Sequence, residues 1–221
     1  MTADDASAAR ISALSDGVFA VALTLLTFDV VAAAGDIEEG TALADHLRHQ
    51  WPTLVAFFVG FTTILVCWIN HHCVYDYVRR SDAGLLWVNG VQLALVSLVP
   101  FPTAVLASHI TGEADDRRTA LLLYGAMFFL IATSFWGLWR YLDARQLIDT
   151  SGDPVRARGM GLNYGLSSAW TVCCLLVAAV SVVPALVMWA LMFAVFAFPS
   201  AFALFTGRRS TSHAESRRSA S

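Results

Sequence analysis

Charge is scarce in this sequence, and lysine is missing altogether. Only 14% of the 221 residues are charged, against about 25% in a typical soluble domain. All fourteen basic residues are arginine, and 57% of the chain is apolar. A soluble fold cannot bury that much apolar surface, so the composition excludes an ordinary soluble protein and indicates an all-α integral membrane protein.

Cysteine motifs and catalytic motifs are also missing. No CxxC spacing exists, and the four cysteines lie in or beside apolar stretches, which predicts free thiols. The NHHC stretch at 70–73 superficially resembles the Asp-His-His-Cys motif of membrane palmitoyltransferases, but Asn70 replaces the aspartate and the cysteine-rich surroundings are lacking. No glycine-rich phosphate loop, nucleophile elbow or serine–histidine–aspartate arrangement is visible. We therefore expect no enzymatic activity and no cofactor.

What the sequence does contain is a series of long apolar runs. A run of about 20 residues crosses the hydrocarbon core as a helix. Six such spans are predicted, at 11–33, 52–76, 84–108, 119–142, 161–183 and 185–206. Together they form a six-helix transmembrane domain over 11–206, between an N-terminal tail at 1–10 and a disordered basic tail at 207–221.

Three prolines are predicted to separate or interrupt these spans. Proline ends a helix at the preceding residue, so Val183–Pro184 is the predicted turn between spans five and six. Pro100 and Pro102 are predicted to kink or end the third span.

The arginines predict the orientation, because cytoplasmic loops carry an excess of Lys and Arg. With the N-terminus inside, the outer loops hold only Arg48, Arg117 and Arg118. The inner segments then hold the other eleven, which are Arg10, Arg79, Arg80, Arg140, Arg145, Arg156, Arg158, Arg208, Arg209, Arg217 and Arg218. Both termini are therefore predicted to lie in the cytoplasm, with the chain in the plasma membrane.

The first span carries a stripe at helical spacing. Val21, Thr24, Leu25 and Phe28 fall at i, i+3, i+4 and i+7. Four identical stripes around an axis would form a narrow apolar tube with one ring of hydroxyls, able to gate by dewetting and to replace part of an ion's hydration shell. From spacing alone, plain helix packing is favoured, with Thr24 bonding back to its own helix.

Polar residues also gather where the first span begins and the second ends. Ser15 and Asp16 could cap a helix start, but a buried aspartate needs a partner. The second span offers candidates at the same predicted depth, so a network that fixes the first helix or couples protonation to gating is expected. Its candidates are Arg10, Asp16, Asn70 and either His71 or His72. Asn89 of the third span is interpreted as ordinary interhelical glue.

Three segments together resemble the prokaryotic branch of the transmembrane-protein-175 potassium channels. They read RxxxxSDGVFAVALTLL in span one, WxNHH at 68–72 and LWVNGVQLALVSLVPFPT at 86–103. The resemblance implies a homotetramer whose first helices line a pore at a four-fold axis, without a TVGYG-type filter. It places constriction rings at Val21, Leu25 and Phe28, and a potassium-selecting ring, where K+ passes, at Thr24.

The same resemblance assigns residues that hold the pore helix. It places the arginine and serine–aspartate of the family signature at Arg10, Ser15 and Asp16, and the anchoring partners at Trp68 and His71 or His72. Three residues depart from the usual pattern: Leu14 replaces a phenylalanine, Val21 is smaller than usual and Phe28 is larger. The tightest point is therefore expected to shift from Val21 toward Phe28.

We accordingly expect a potassium-selective passive cation channel whose partners are its own copies, the lipid bilayer and K+, with no nucleic acid. A proton channel or proton-coupled transporter using Asp16 and His71 or His72 is the main alternative. A pore-free membrane enzyme or structural protein is another. A secondary transporter is disfavoured, because no pair of broken helices occurs in related halves.

Overall fold

The computed structural model describes residues 3–35 and 42–197. These residues form eight helices: α1 (Ala3–Gly35), α2 (Leu43–His49), α3 (Trp51–Tyr75), α4 (Ala83–Ser97), α5 (Pro100–His109), α6 (Ala114–Ala144), α7 (Pro154–Val180) and α8 (Val182–Ala197). The only β-type pairing in the described part is an isolated bridge between Val78 and Ile148. The predicted all-α class is confirmed.

Among the residues that the structure describes, five helical segments are long and apolar enough to cross a membrane. They are Ala9–Gly35, Trp51–Tyr75, Ala83–His109, Ala114–Ala144 and Pro154–Val180. Each coincides with one of the first five predicted spans. The sixth predicted span is represented by α8, whose apolar stretch Val182–Leu191 is shorter. Residues 198–206 of that span and the predicted tail at 207–221 lie outside the described residues.

Helix boundaries differ from the predicted ones at three places. Helix α1 begins at Ala3, so most of the predicted tail is helical. Helix α7 begins at Pro154, seven residues before the predicted 161, because the Asp153 side chain caps it by accepting the Arg156 backbone N–H at 3.0 Å. The break before α8 falls at Ser181, which is extended, and the predicted turn at Val183–Pro184 is wrong. Pro184 fits the first turn of α8, where its missing N–H costs nothing.

The proline pair interrupts the helix of the third span without ending the span. Helix α4 stops at Ser97 and α5 starts at Pro100, while Leu98 and Val99 keep right-handed helical backbone angles. The two helices together form one candidate span, Ala83–His109. A proline removes one helical hydrogen bond and clashes with the preceding turn, which explains the break at this position.

The helices pack around a central core. Helix α1 lies against α3, α4 and α5, and α6 lies against α4, α5 and α7. Gly60 makes the close approach of α1, α3 and α5 possible, since a Cβ there would lie 3.1 Å from Thr103 Cγ2 and 3.2 Å from Leu26 Cδ2. The short α2, which was not predicted, packs near the end of α1, where His46 Nε2 lies 3.0 Å from the Ala33 carbonyl oxygen.

Candidate pore helix and its anchoring contacts

Helix α1 has one face that is completely packed inside its own chain. Its buried positions recur every three or four residues, and at about 100° per residue they form a single stripe toward the neighbouring helices. None of the five side chains is more than 4% exposed: Ile11, Ser15, Phe19, Ala22 and Leu26. The rotation of α1 is therefore fixed by packing.

The four side chains of the predicted pore stripe lie on the other side of α1. Val21 is 57% exposed, Leu25 40% and Phe28 69%, and Thr24 is exposed as well. Gly17 and Ala20 are exposed on the same side. One chain thus leaves a long, mostly apolar face uncovered, interrupted by a single hydroxyl near its middle.

The Thr24 hydroxyl forms a hydrogen bond within its own helix, and this bond affects how it can contact an ion. It donates its hydrogen to the Val21 carbonyl oxygen at 2.8 Å. This is the back-bond expected for a threonine in ordinary packing. It also leaves the lone pairs of the oxygen free, since a hydroxyl has one hydrogen and two acceptor sites. The side chain can therefore present an acceptor, and not a donor, to a cation.

Asp16 is held by the second span. The Trp68 indole Nε1 donates to Asp16 Oδ1 at 2.8 Å and so joins α1 to α3. Asp16 is exposed, while Trp68 is half-buried. The indole bond ties the edge of the exposed face to a bulky ring on α3, and it leaves the second carboxylate oxygen open.

A buried polar chain links three helices beside this contact. His71 Nε2 lies 2.9 Å from Asn89 Oδ1, and the Asn89 amide donates to Ser15 Oγ at 3.1 Å. Ser15 in turn donates to the Ile11 carbonyl at 2.9 Å. The directions are consistent if His71 carries its proton on Nε2. All three side chains are at most 3% exposed, so each bond is made in a low-dielectric setting that strengthens it.

Aromatic contacts fix the orientation of the His71 ring. It stacks on Tyr75 with centroids 4.3 Å apart and meets Phe19 edge-on at 5.4 Å. His72, by contrast, is exposed and stacks on Trp68 at 5.9 Å. The structure therefore distinguishes the two histidines: only His71 reaches the buried polar chain.

Two residues expected in the network lie apart from it. Arg10 is exposed and makes no hydrogen bond or ion pair with any residue in the described part of the chain. Asn70 donates to its own helix at Val66, and its Oδ1 accepts from Tyr164 of α7 at 3.4 Å. In their place stands Asn89, for which the sequence predicts only ordinary interhelical packing. Its readable sign is an amide inside an apolar span.

Comparison with known proteins identifies the family. The model of the endosomal/lysosomal potassium channel TMEM175 family matches residues 10–100. A potassium channel of Streptomyces collinus is 37% identical over 160 residues, which cover 72% of this chain and 76% of that protein. The chain belongs to the TMEM175 family. The family is one of ion channels and not of enzymes.

Further TMEM175 relatives agree in fold and sequence. The crystal structure of a lysosomal potassium-selective channel TMEM175 homolog from Chamaesiphon minutus superposes with a TM-score of 0.77 at 31% identity, covering 88% of this chain and 98% of that one. A potassium channel from the same species is 41% identical over 132 residues, or 60% of this chain and 64% of that protein. The human endosomal/lysosomal proton channel TMEM175 is 32% identical over 133 residues, or 56% of this chain and 26% of the human one. The matched segment therefore spans about a quarter of the animal relative.

The TMEM175-like segment at 10–100 contains the geometry described above. It includes α1 with its exposed stripe, α3 with Trp68 and His71, and α4 with Asn89. Within 3–35 and 42–197, no group of three His, Cys, Asp or Glu side chains is arranged to hold a metal ion.

A second polar contact fixes the start of α4 from outside the span. Asp82 Oδ1 accepts the Leu85 backbone N–H at 2.8 Å, and the Tyr141 hydroxyl donates to the same carboxylate at 2.9 Å. Arg145 Nε lies 3.4 Å from Asp82 Oδ2. The Leu85 N–H, followed by Tyr141 and Arg145, lowers the pKa of Asp82 below its ordinary value. The helix that carries Asn89 is thereby tied to the end of α6.

Proposed function

We propose that this chain is a passive potassium channel, in which four copies meet around an axis with the α1 stripe facing it. The observation that carries the proposal is the exposed α1 face, which is apolar except for Thr24 and lies opposite a fully packed face. Small residues support close approach of helices in membranes, and Gly17, with no atom of its own chain near its Cβ position, would allow neighbouring copies to approach. The choice of potassium as the ion rests on relatives that are named potassium channels.

The chemistry of such a pore would be simple. Four Thr24 oxygens would form one ring of acceptors, flanked by apolar rings at Val21, Leu25 and Phe28. Apolar constrictions gate by dewetting, and oxygen ligands replace part of the hydration shell of a potassium ion. One hydroxyl ring offers fewer ligands than a carbonyl filter, so selectivity is modest. Phe28, larger than Val21, forms the tightest ring.

The contacts at the start of α1 have an anchoring role in this proposal. The Trp68–Asp16 bond and the Ser15–Asn89–His71 chain hold α1 at a fixed rotation. In the full assembly each chain contributes six membrane spans, with both termini in the cytoplasm of a bacterium. Conduction needs no cofactor, because ions move down their own gradient.

The test is ion flux in liposomes that contain the purified protein, first under a potassium gradient and then under a sodium gradient. Potassium flux should exceed sodium flux. Thr24→Val should reduce this preference while leaving assembly intact. Thr27→Val is the matched control, because Thr27 is also exposed on α1 but lies outside the stripe. Unchanged reversal potentials in Thr24→Val would remove Thr24 from the selectivity mechanism, and a monomer without flux would refute the channel.

A proton path is the second candidate, favoured by the animal relatives that are named proton channels. Asp16, together with His71 or His72, would relay the proton. Asp16→Asn discriminates in the same liposomes, because the amide oxygen can still accept the Trp68 N–H while the group no longer carries a proton. Loss of proton flux with retained potassium flux supports the proton path. Retention of both fluxes contradicts it.

A further inference from the structure

A groove between α6 and α7 opens where α6 ends and α7 begins. Its cavity is about 640 Å³ in volume, within the range of roughly 300–1,000 Å³ typical of small-molecule sites. Arg140 lies in the last turns of α6 and Arg158 in the first turns of α7, so both arginines stand where the spans meet the membrane surface. The groove continues from there along the two helices into the depth of the bilayer.

Two glycines on α7 let the tryptophan rings of α6 lie directly against the α7 backbone, beside the groove. A Cβ at Gly161 would lie 2.7 Å from Trp139 Nε1, and a Cβ at Gly165 would lie 3.3 Å from Trp136 Nε1. The glycines are one turn apart and face two indole rings that are also close to one turn apart on α6. A larger residue at either position would push the facing ring away from α7 and change the shape of the groove.

The indole edges provide polar groups inside this otherwise apolar space. Neither Trp136 Nε1 nor Trp139 Nε1 donates a hydrogen bond to any residue the structure describes, although Trp139 is only 6% exposed. A tryptophan N–H in an apolar setting normally finds an acceptor. Both N–H groups border the groove, so a bound molecule that carries oxygen atoms would satisfy them.

Charge and exposure vary along the groove in one direction. Arg140 and Arg158 are exposed at its mouth, and neither takes part in an ion pair within residues 3–35 and 42–197. Asp143 also borders the mouth and offsets one of the two charges. Deeper in, Leu162 and Leu166 are each 64% exposed and line an apolar wall. From the membrane surface inward, the groove is therefore lined first by cationic side chains, then by hydrogen-bond donors and then by apolar side chains.

We propose that this groove binds an anionic glycerophospholipid. The phosphate lies between Arg140 and Arg158, the ester carbonyls accept from the Trp139 indole, and one acyl chain follows Gly165 toward Trp136. Each part of the lipid meets the chemistry it requires: basic side chains attract anionic headgroups, and indoles favour the interfacial level. The proposal is independent of ion conduction, since no residue of α1 lines the groove.

The experiment is native mass spectrometry of the full-length protein, delipidated in detergent and offered equal amounts of phosphatidylglycerol and phosphatidylcholine with identical acyl chains. Wild type should retain phosphatidylglycerol about tenfold more strongly, since each basic residue near a membrane surface favours anionic lipid about fivefold and Asp143 opposes part of this. Arg140→Gln with Arg158→Gln should remove the preference. Arg79→Gln with Arg80→Gln is the matched control, because these exposed arginines lie at the same end but outside the groove.

A second variant tests the groove itself. Gly165→Leu should abolish retention of both lipids, because its side chain would occupy the acyl channel, while the partly exposed Trp136 ring can move enough to keep the fold. Gly137→Leu, on an open face of α6, should retain them. Equal retention of the two lipids by wild type would overturn the headgroup assignment. Retention by Gly165→Leu equal to wild type, with the same oligomer and melting temperature, would overturn the site.

Discussion

Removing the His71 ring should destabilise the folded chain much more than removing the adjacent His72 ring. The two residues share residue type, helix and depth, so they form a matched pair. His71 is 1% exposed, bonds Asn89 and packs between Tyr75 and Phe19. His72 is exposed and makes one ring contact, with Trp68.

The size of the difference follows from these contacts. His71→Ala leaves the buried Asn89 Oδ1 without its 2.9 Å donor, at a cost of about 1–3 kcal/mol. The two lost ring contacts add about 0.5–1.5 kcal/mol each. Interhelical bonds in membranes average only about 0.6 kcal/mol in double-mutant cycles, so we expect about 3 kcal/mol for the whole ring. His72→Ala should cost about 0.5–1 kcal/mol for its single stacking contact.

The assay is unfolding in mixed detergent micelles, followed by circular dichroism, for wild type and both variants. Asn89→Ala should destabilise the chain in the same way, and the double variant His71→Ala/Asn89→Ala should cost less than the two single changes together, because both act on one bond. Equal costs for His71→Ala and His72→Ala would refute the reasoning. So would strict additivity of the His71 and Asn89 changes.

Two further predictions concern the contact of Asp82 with Tyr141. Gly84→Ala should destabilise the chain by about 1–3 kcal/mol, the usual cost of overpacking, because a Cβ at Gly84 would overlap the Tyr141 hydroxyl and displace it from Asp82. Gly90→Ala on the same helix meets no atom within 4 Å and should stabilise by about 0.5–1 kcal/mol in the same unfolding assay. The lowered pKa of Asp82 means that its contribution is present above the unfolded value of about 3.9 and is lost as pH falls through the lower folded value. The melting temperature of Asp82→Asn should therefore lie below that of wild type at pH 7, and the gap should narrow as the pH falls below the unfolded value of about 3.9; a constant gap between the two proteins would contradict this assignment.

The spans could be predicted from the sequence because the bilayer imposes both their length and their composition. Five of the six predicted runs coincide with long helices. The boundary errors arose where a local effect outweighed the hydropathy pattern. Asp153–Pro154 is a readable helix start, with a capping carboxylate and a proline at the first position, but it precedes the apolar run. Beyond the other end of α7, the sequence predicts that Pro184 marks a turn between two helices, but proline is equally well tolerated in the first turn of a helix.

The choice between His71 and His72 could not be made from the sequence. Adjacent residues on a helix point about 100° apart, so only one of them can face α1 and α4. Which one does so depends on the rotation of α3, and that rotation is set by packing along its whole length. The role of Asn89 could not be predicted for a related reason: an amide in an apolar span has many available neighbours, and its partners are defined only when three helices are placed together.

The α1 stripe presents a harder problem that also affects how the pore proposal must be tested. In water, an exposed apolar face marks a contact surface, but in a bilayer lipid is as apolar as leucine. Hydrophobicity alone therefore cannot distinguish a face toward lipid, toward another copy or toward a dewetting pore. Thr24 argues against a face toward lipid, because a hydroxyl with free lone pairs gains nothing from contact with acyl chains. Gly17 argues against it too, because the space beside it allows the close approach of another helix. A change at Thr24 that altered ion preference without altering assembly would separate the pore from the other two environments, whereas changes at Val21 or Phe28 would affect all three.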